Sequence, residues 1–372
     1  MWRILARLEQ SVKSMGQAES DWEVEARERG IYLPQVDLWM DPQRPQKRAV
    51  VTHAHYDHLA GHEEILASPA TARLLRVRVP KRTKIREIPF GKAIALGKGA
   101  SLTLLHAGHI LGSAMVWIKR KVGERETRLL YTGDFKLRGG TTAEACQPKR
   151  AEVLVMETTF GRPEYRFPSE EKVVGEMISF CRNALKGGVV PILLAYSLGK
   201  SQEILNRIGA AGFSILMHAA GHRMCEVYRE LGQALPQVGK LGKISEEKVR
   251  GHVLIVPPSV ARGKEVKALE SRQVAVVTGW ALDRGVIYRY GCDAAFALSD
   301  HADYGELLEM VERVKPKEIR TVHGFAKEFA VDLQERGHRA WALQGETQMV
   351  LPLGLEGKVA ERKRGGRVKT SC

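Results

Sequence analysis

Six consecutive residues carry three histidines and an aspartate: His53-Ala54-His55-Tyr56-Asp57-His58, directly after Val50-Val51-Thr52. This reads as a strand ending in a loop of metal ligands, because neutral imidazole and carboxylate oxygen both suit zinc. On extended backbone His53 and His55 share one side and can grip a single ion. Asp57 and His58 are adjacent, so in a loop they can turn toward a second ion. One zinc takes three or four protein ligands, so four here, with more downstream, point to two metals. The bland alternative is a solvated turn that binds nothing. It loses weight because ionisable residues recur where a site would need them.

That recurrence has a grammar: an apolar run, then an ionisable residue at its C-terminal end. Leu102–Leu105 leads to His109 among glycines, Leu129–Thr132 to Asp134, and Val153–Met156 to Glu157. Phe296–Leu298 leads to Asp300, His301 and Asp303, and Ile319–Val322 to His323. Loops at one edge of a sheet would gather these residues into a single site. The section 166–285 reads differently. An amphipathic helix is expected over Glu170–Lys186, then apolar strands alternate with helices, as in a parallel α/β unit inserted into the first domain. The expected divisions are a polar arm or helix at 1–30, a first domain in two parts at 31–165 and 286–350, the insertion at 166–285, and a basic tail at 351–372.

The 372 residues carry a net charge of +15, which favours a polyanionic partner, nucleic acid before an anionic membrane surface. The five cysteines are scattered without a CxxC pair, so they read as free thiols in a reducing compartment. No signal-peptide pattern or membrane-length apolar run occurs, and a cytoplasmic location without membrane attachment is expected. Seven basic residues between Arg73 and Arg86 suit either a solvated hairpin or a phosphate-contacting rim. The turn Tyr196-Ser197-Leu198-Gly199-Lys200 enters a helix. Ser197 and Lys200 there suit a phosphate seat or, equally, a cap and a surface lysine. Trp280 and Tyr304 are candidate stacking platforms for bases. His62, His106, His218, His222, His252 and His338 read as ordinary histidines.

The set His53, His55, Asp57, His58, His109 and Asp134 resembles that of the metallo-β-lactamase fold hydrolases. Glu157, His301 and His323, flanking an α/β insertion, resemble the beta-CASP nuclease branch. Gly30-Ile31-Tyr32, Met40-Asp41-Pro42, the stretches 108–114 and 157–161, Tyr196–Lys200 and Leu298–Asp303 are similar to those of the bacterial ligase-associated DNA exonucleases, over about residues 30–345. The resemblance implies an α/β metallo-β-lactamase αββα sandwich with an inserted beta-CASP domain. It implies two zinc ions, with manganese an alternative at such ligands. One would be held by His53, His55 and His109, the other by Asp57, His58 and His323, with Asp134 bridging. His301 would be the general acid, held by Glu157, and Asp41 would support the metal loop without binding metal. Asp134 and Asp57 belong with the catalytic set through the metals. Two ions about 3.5–4 Å apart suit phosphodiester hydrolysis.

The expected activity is exonucleolytic cleavage of DNA in repair, on single strands or free ends, beside a DNA ligase or helicase. An RNA-processing nuclease of the same architecture is the alternative, since His323 is usual among RNA-processing members and does not separate the two. A nucleic-acid-binding scaffold with a vestigial site is disfavoured by the complete ligand set. A small-molecule hydrolase is disfavoured by the insertion, the Glu157–His301 pair and the charge.

Overall fold

The computed structural model describes residues 21–27 and 30–343; most of the leading arm and all of the basic tail lie outside them. Two mixed sheets face each other. The first runs, edge to edge, through Glu25–Arg27, Gly30–Leu33, Leu38–Met40, Arg48–Val50, Glu64–Ala67 and Lys84–Glu87. The second runs through Ala340–Ala342, Glu318–Val322, Val153–Glu157, Arg125–Tyr131, Ala114–Val122, Ala100–His106 and Ala93–Gly97. Their inner faces share one core. Leu33, Met40, Val50 and Leu66 of the first sheet pack with Leu102, Val116, Leu129 and Val155 of the second. Each strand thus alternates between this core and its outer face, as the two-residue period of extended chain requires.

The outer face of the second sheet (Leu105, Leu130, Met156) is covered by Tyr304–Val314 and Ala326–Glu335 through Leu307, Met310, Phe329 and Leu333. Tyr304–Val314 starts on a reciprocal cap, in which Asp303 accepts from Glu306 N and Glu306 accepts from Asp303 N. The outer face of the first sheet (Ile65, Ala67) is covered by the short helix Pro69–Leu75 and by the inserted unit, whose Ile204, Leu205 and Met224 join the same core. This is the expected αββα sandwich with an α/β insertion.

The insertion has its own six-stranded sheet, all parallel, ordered Gly239–Leu241, Ser214–His218, His252–Val256, Val190–Leu194, Arg272–Val277 and Ala294–Phe296. Its strands are near-continuous apolar runs because helices cover both faces. Ala294–Phe296 pairs with Arg272–Val277, so this sheet reaches past residue 285. The chain therefore passes directly from an inserted strand into Leu298–His301. Among the described residues no helix is long and apolar enough to cross a membrane, and Cys146, Cys181, Cys225 and Cys292 are free and buried.

Candidate metal centre

The C-terminal ends of the strands at Val50, His106, Tyr131, Glu157, Phe296 and Val322 open onto one side of the sandwich. Parallel pairing of Val153–Glu157 with Arg125–Tyr131 and Glu318–Val322 puts three of those ends next to each other. Two loops need glycine or a tolerated left-handed residue to turn inward. Gly108 has φ +78°, and a Cβ there would lie 2.2 Å from the Lys136 carbonyl oxygen. His323 itself sits at φ 59°, held by the Thr158 hydroxyl donating to its carbonyl at 2.7 Å.

His53, His55, His109 and Asp134 bring one ligand atom each to within 4.8 Å of one another. His55 Nδ1 lies 3.0 Å from His53 Nε2 and 3.1 Å from His109 Nε2. Asp134 Oδ2 lies 3.6 Å from His53 Nε2 and 3.9 Å from His109 Nε2. The second set approaches the same carboxylate oxygen. His58 Nε2 is 3.3 Å from Asp134 Oδ2 and 3.9 Å from Asp57 Oδ2. The His323 ring stands 5.9 Å from that of His58, with its Nε2 buried and without a hydrogen-bond partner. Three imidazoles and a carboxylate are a zinc donor set, and a buried imidazole nitrogen with no partner suits a ligand.

The other ring nitrogens of His53, His55 and His109 are anchored, which fixes the tilt of each ring. His53 Nδ1 meets Thr52 Oγ1 at 3.1 Å, His55 Nε2 meets Leu198 O at 3.1 Å, and His109 Nδ1 meets Asp300 O at 2.8 Å. His58 Nδ1 lies 3.0 Å from Asp41 Oδ2, a charge contact too bent for a regular hydrogen bond. Asp41 also accepts from Thr52 N at 2.8 Å, Thr52 Oγ1 at 2.7 Å and the Tyr131 hydroxyl at 3.0 Å, one backbone and two side-chain donors.

Burial keeps the His53 and His55 rings neutral, and with His301 beside it brings His109 down to about 3. Burial would also raise Asp134, but His58 and His301 outweigh it and hold the carboxyl well below its usual range. His301 is the opposite case. Burial lowers it, yet Glu157 and Asp134 dominate and raise it to about 10. Its Nδ1 lies 3.1 Å and 3.2 Å from the two Glu157 oxygens, and its Nε2 lies 3.9 Å from Asp134 Oδ2. Glu157, 1% exposed, also accepts from Phe135 N at 2.9 Å.

Several other expectations meet a different arrangement. Lys200 is 3% exposed and spends its ammonium on Leu298 O at 2.7 Å and Asp300 Oδ1 at 3.1 Å, so it is neither an open phosphate seat nor a surface lysine. Ser197 is buried beside it, its carbonyl accepting from Gln202 Nε2 at 3.0 Å. Tyr304 is 2% exposed with its hydroxyl on Asp332 at 2.6 Å, which removes it as a stacking platform. Trp280 packs into an aromatic cluster with Phe160, Tyr165 and Phe325. Of the basic run, Arg73 pairs with Glu230, Arg76 donates to Thr83 O, and Arg78 donates to Ala54 O while lying 4.2 Å over the half-exposed Tyr56 ring. His218 caps the helix Ala219–Glu230, its side chain accepting from Ala220 N. The backbone carbonyls of Leu198 and Asp300 are the functional partners that the sequence did not reveal, since a carbonyl leaves no mark on residue identity.

Residues 35–192 match the family model of the beta-lactamase superfamily domain, and residues 294–343 match that of the Zn-dependent metallo-hydrolase RNA specificity domain. A probable DNA ligase of Opitutus terrae is 44% identical over 350 residues, 94% of this chain and 34% of that protein. The DNA cross-link repair protein SNM1 of Arabidopsis thaliana is 28% identical over 303 residues, 72% of this chain and 59% of the relative. The 5' exonuclease Apollo of Gallus gallus is 28% identical over 304 residues, 76% of this chain and 60% of the relative. The chain thus spans between about a third and three fifths of the length of these relatives. With both matched domains flanking the inserted parallel sheet, and the histidine cluster between them, the chain belongs to the beta-CASP branch of the metallo-β-lactamase superfamily.

Proposed function

We propose that the protein is a metal-dependent nuclease that hydrolyses phosphodiester bonds of DNA, acting from strand ends in repair. The observation that carries this reading is the Glu157–His301 pair, 3.1 Å apart and turned toward Asp134 beside the histidine cluster. A thiolate can leave a thioester without a proton, whereas a departing sugar oxygen needs one. His53, His55, His109 and Asp134 would hold one zinc ion, and Asp57, His58, His323 and the same Asp134 a second. Bound zinc supplies Lewis acidity toward a phosphoryl oxygen and acidifies water, so no protein nucleophile is required.

The chain's own residues do the rest. Glu157 accepts the Nδ1 proton of His301 and so leaves an Nε2 proton facing the cluster. His301 delivers that proton to the departing oxygen and is recharged from solvent. The surplus of +15 attracts the polyanionic strand. Likeness to proteins named as a cross-link repair protein, a 5' exonuclease and a probable DNA ligase supports DNA as substrate and a ligase as working partner. The match over 294–343, whose name refers to RNA specificity, favours RNA as the second reading.

The deciding assay uses end-labelled single-stranded DNA and RNA of one sequence at equal salt, with wild type beside His301→Ala. Stepwise loss from DNA ends, weak on RNA and reduced about 100-fold or more in the variant, is expected. Preferred cleavage of RNA would replace the first reading by the second. A fully active His301→Ala enzyme would remove His301 from the reaction.

A further inference from the structure

Three successive carbonyls of one loop each accept from a buried nitrogen. Lys200 Nζ donates to Leu298 O at 2.7 Å, Lys136 Nζ to Ser299 O at 2.8 Å, and His109 Nδ1 to Asp300 O at 2.8 Å. Lys200 also pairs with the Asp300 carboxylate at 3.1 Å, so it grips the loop at Leu298 and at Asp300, the residue whose carbonyl faces His109. The same lysine opens the helix Lys200–Gly209, and the turn leading into that helix presents Leu198 O to His55 Nε2 at 3.1 Å.

That turn is rigid. Gly199 N donates to Gln202 Oε1 at 2.8 Å, and Gln202 Nε2 returns to Ser197 O at 3.0 Å. Gly199 has φ +83°, and a Cβ there would lie 2.3 Å from Cγ2 of Ile110, the neighbour of His109. Two of the three clustered histidines are therefore oriented through one point, where the inserted domain meets the first. Keeping a lysine ammonium almost wholly out of water is costly, and the cost is offset only where its geometry and partners are fixed.

We propose that Lys200 is a positioning residue for the metal centre. It holds the Asp300 peptide so that His109 presents Nε2 to the ion, while the turn before it does the same for His55 Nδ1. The inserted domain thereby sets how tightly the first metal is bound, in addition to covering the site. The inference rests on the cluster being a metal centre; it does not depend on the substrate.

The experiment is cobalt titration of the full chain, with the absorption spectrum of bound Co²⁺ recorded and no nucleic acid present. Lys200→Met keeps the length of the side chain and removes the ammonium. It should weaken Co²⁺ binding by about 10- to 100-fold and alter the ligand-field bands. Glu203→Gln is the control. It lies one turn along the same helix and is also buried, accepting from Thr141 N at 3.0 Å and Thr142 N at 3.1 Å, but it touches no ligand. It should leave affinity and spectrum unchanged. Asp300→Asn, which keeps the carbonyl and loses the ion pair, should fall between, and it answers the question if Lys200→Met does not fold by circular dichroism. Wild-type affinity and spectrum in the folded Lys200 variant, or in Asp300→Asn where that one stands in, would overturn the proposal. Equal weakening in Glu203→Gln would overturn it too, because general domain docking would then account for the effect. A wild-type chain that binds Co²⁺ yet cleaves neither DNA nor RNA would end the nuclease reading and leave this inference standing. A wild-type chain that binds no Co²⁺ would end both.

Discussion

Replacing Asp41 by asparagine changes charge while keeping shape. Asp41 is buried at φ 48°, a left-handed position that asparagine tolerates. Its carboxylate accepts three hydrogen bonds, from Thr52 N, Thr52 Oγ1 and Tyr131 OH, and faces His58 Nδ1 at 3.0 Å. A hydrogen bond to a charged group contributes about 1.5–3 kcal/mol and a neutral one about 0.5–1.5, so each of the three weakens by about 1 kcal/mol. The new amide has two N–H groups, so one hydroxyl can reverse and accept while the other N–H faces His58 Nδ1, and the total is about 3 kcal/mol or more. The consequence at His58 is sharper. The Asp41 charge beside Nδ1 favours a proton there, the tautomer that would let Nε2, the nitrogen facing Asp134 at 3.3 Å, ligate. An amide N–H in its place moves the proton to Nε2. The expected loss of affinity at the proposed second metal is about 10- to 100-fold. Urea unfolding of the metal-free chain measures the first term, and zinc competition against a chromophoric chelator the second. If Asp41→Asn lowers stability by about 3 kcal/mol and zinc affinity stays at the wild-type value, Asp41 serves the fold alone and the tautomer reasoning fails.

Asp134→Ala removes the carboxylate proposed to serve both ligand sets. Metal content by atomic emission should fall together with cleavage while the circular dichroism spectrum persists, and retained metal and activity would contradict the shared role. Gly324→Ala should destabilise the protein by more than the about 1–2 kcal/mol of a left-handed alanine, because φ is +53° and the added Cβ would lie 2.4 Å from Thr159 Cα; denaturant titration against wild type reads this out. Burial pushes the Cys146 and Cys181 thiols up to about 12. In a Cys372→Ser background, disulfide-exchange labelling of the folded chain should not accelerate between about pH 7 and 9, whereas the unfolded chain, with thiols near 8.5, should label faster as pH rises. Because the folded state holds these protons more tightly, stability should fall as pH climbs above about 8.5. Labelling of the folded chain that tracks the unfolded one would show that these thiols open freely to solvent.

The metal site was legible because its ligands are chemically marked and stand at the ends of apolar runs. His53, His55, His109 and Asp134 converge: spacing suggested a shared ion for His53 and His55, and the resemblance added His109 and Asp134. Asp41 could be named as a support by resemblance, but its four partners only meet once Tyr131 and Thr52 pack over it. Lys200 shows the limit. A lysine at a helix start reads as solvent-facing or phosphate-facing, and only packing of the insertion against Leu298–Asp300 turns it inward. Tyr304 misled for a related reason: its ring follows the helix face into the core beneath Phe329. Ala294–Phe296 is too short for its pattern to assign it to one sheet or another, and its pairing with Arg272–Val277 is a tertiary choice.

The strand order of the second sheet also sets a timetable. Val153–Glu157 needs Glu318–Val322 as its neighbour, and about 160 residues separate them in the chain. At about 5–20 residues per second, a ribosome takes roughly 8–30 s to supply that partner. Through that interval the nascent first domain carries an open sheet edge that is apolar from Val153 to Met156, and the helices Tyr304–Val314 and Ala326–Glu335 that roof its outer face are also still to come. The insertion, with its self-contained parallel sheet, can fold in the meantime. A chain cut before Glu318 would therefore lose more than His323: it would keep the sticky edge permanently, and aggregation rather than inactivity would be its first symptom.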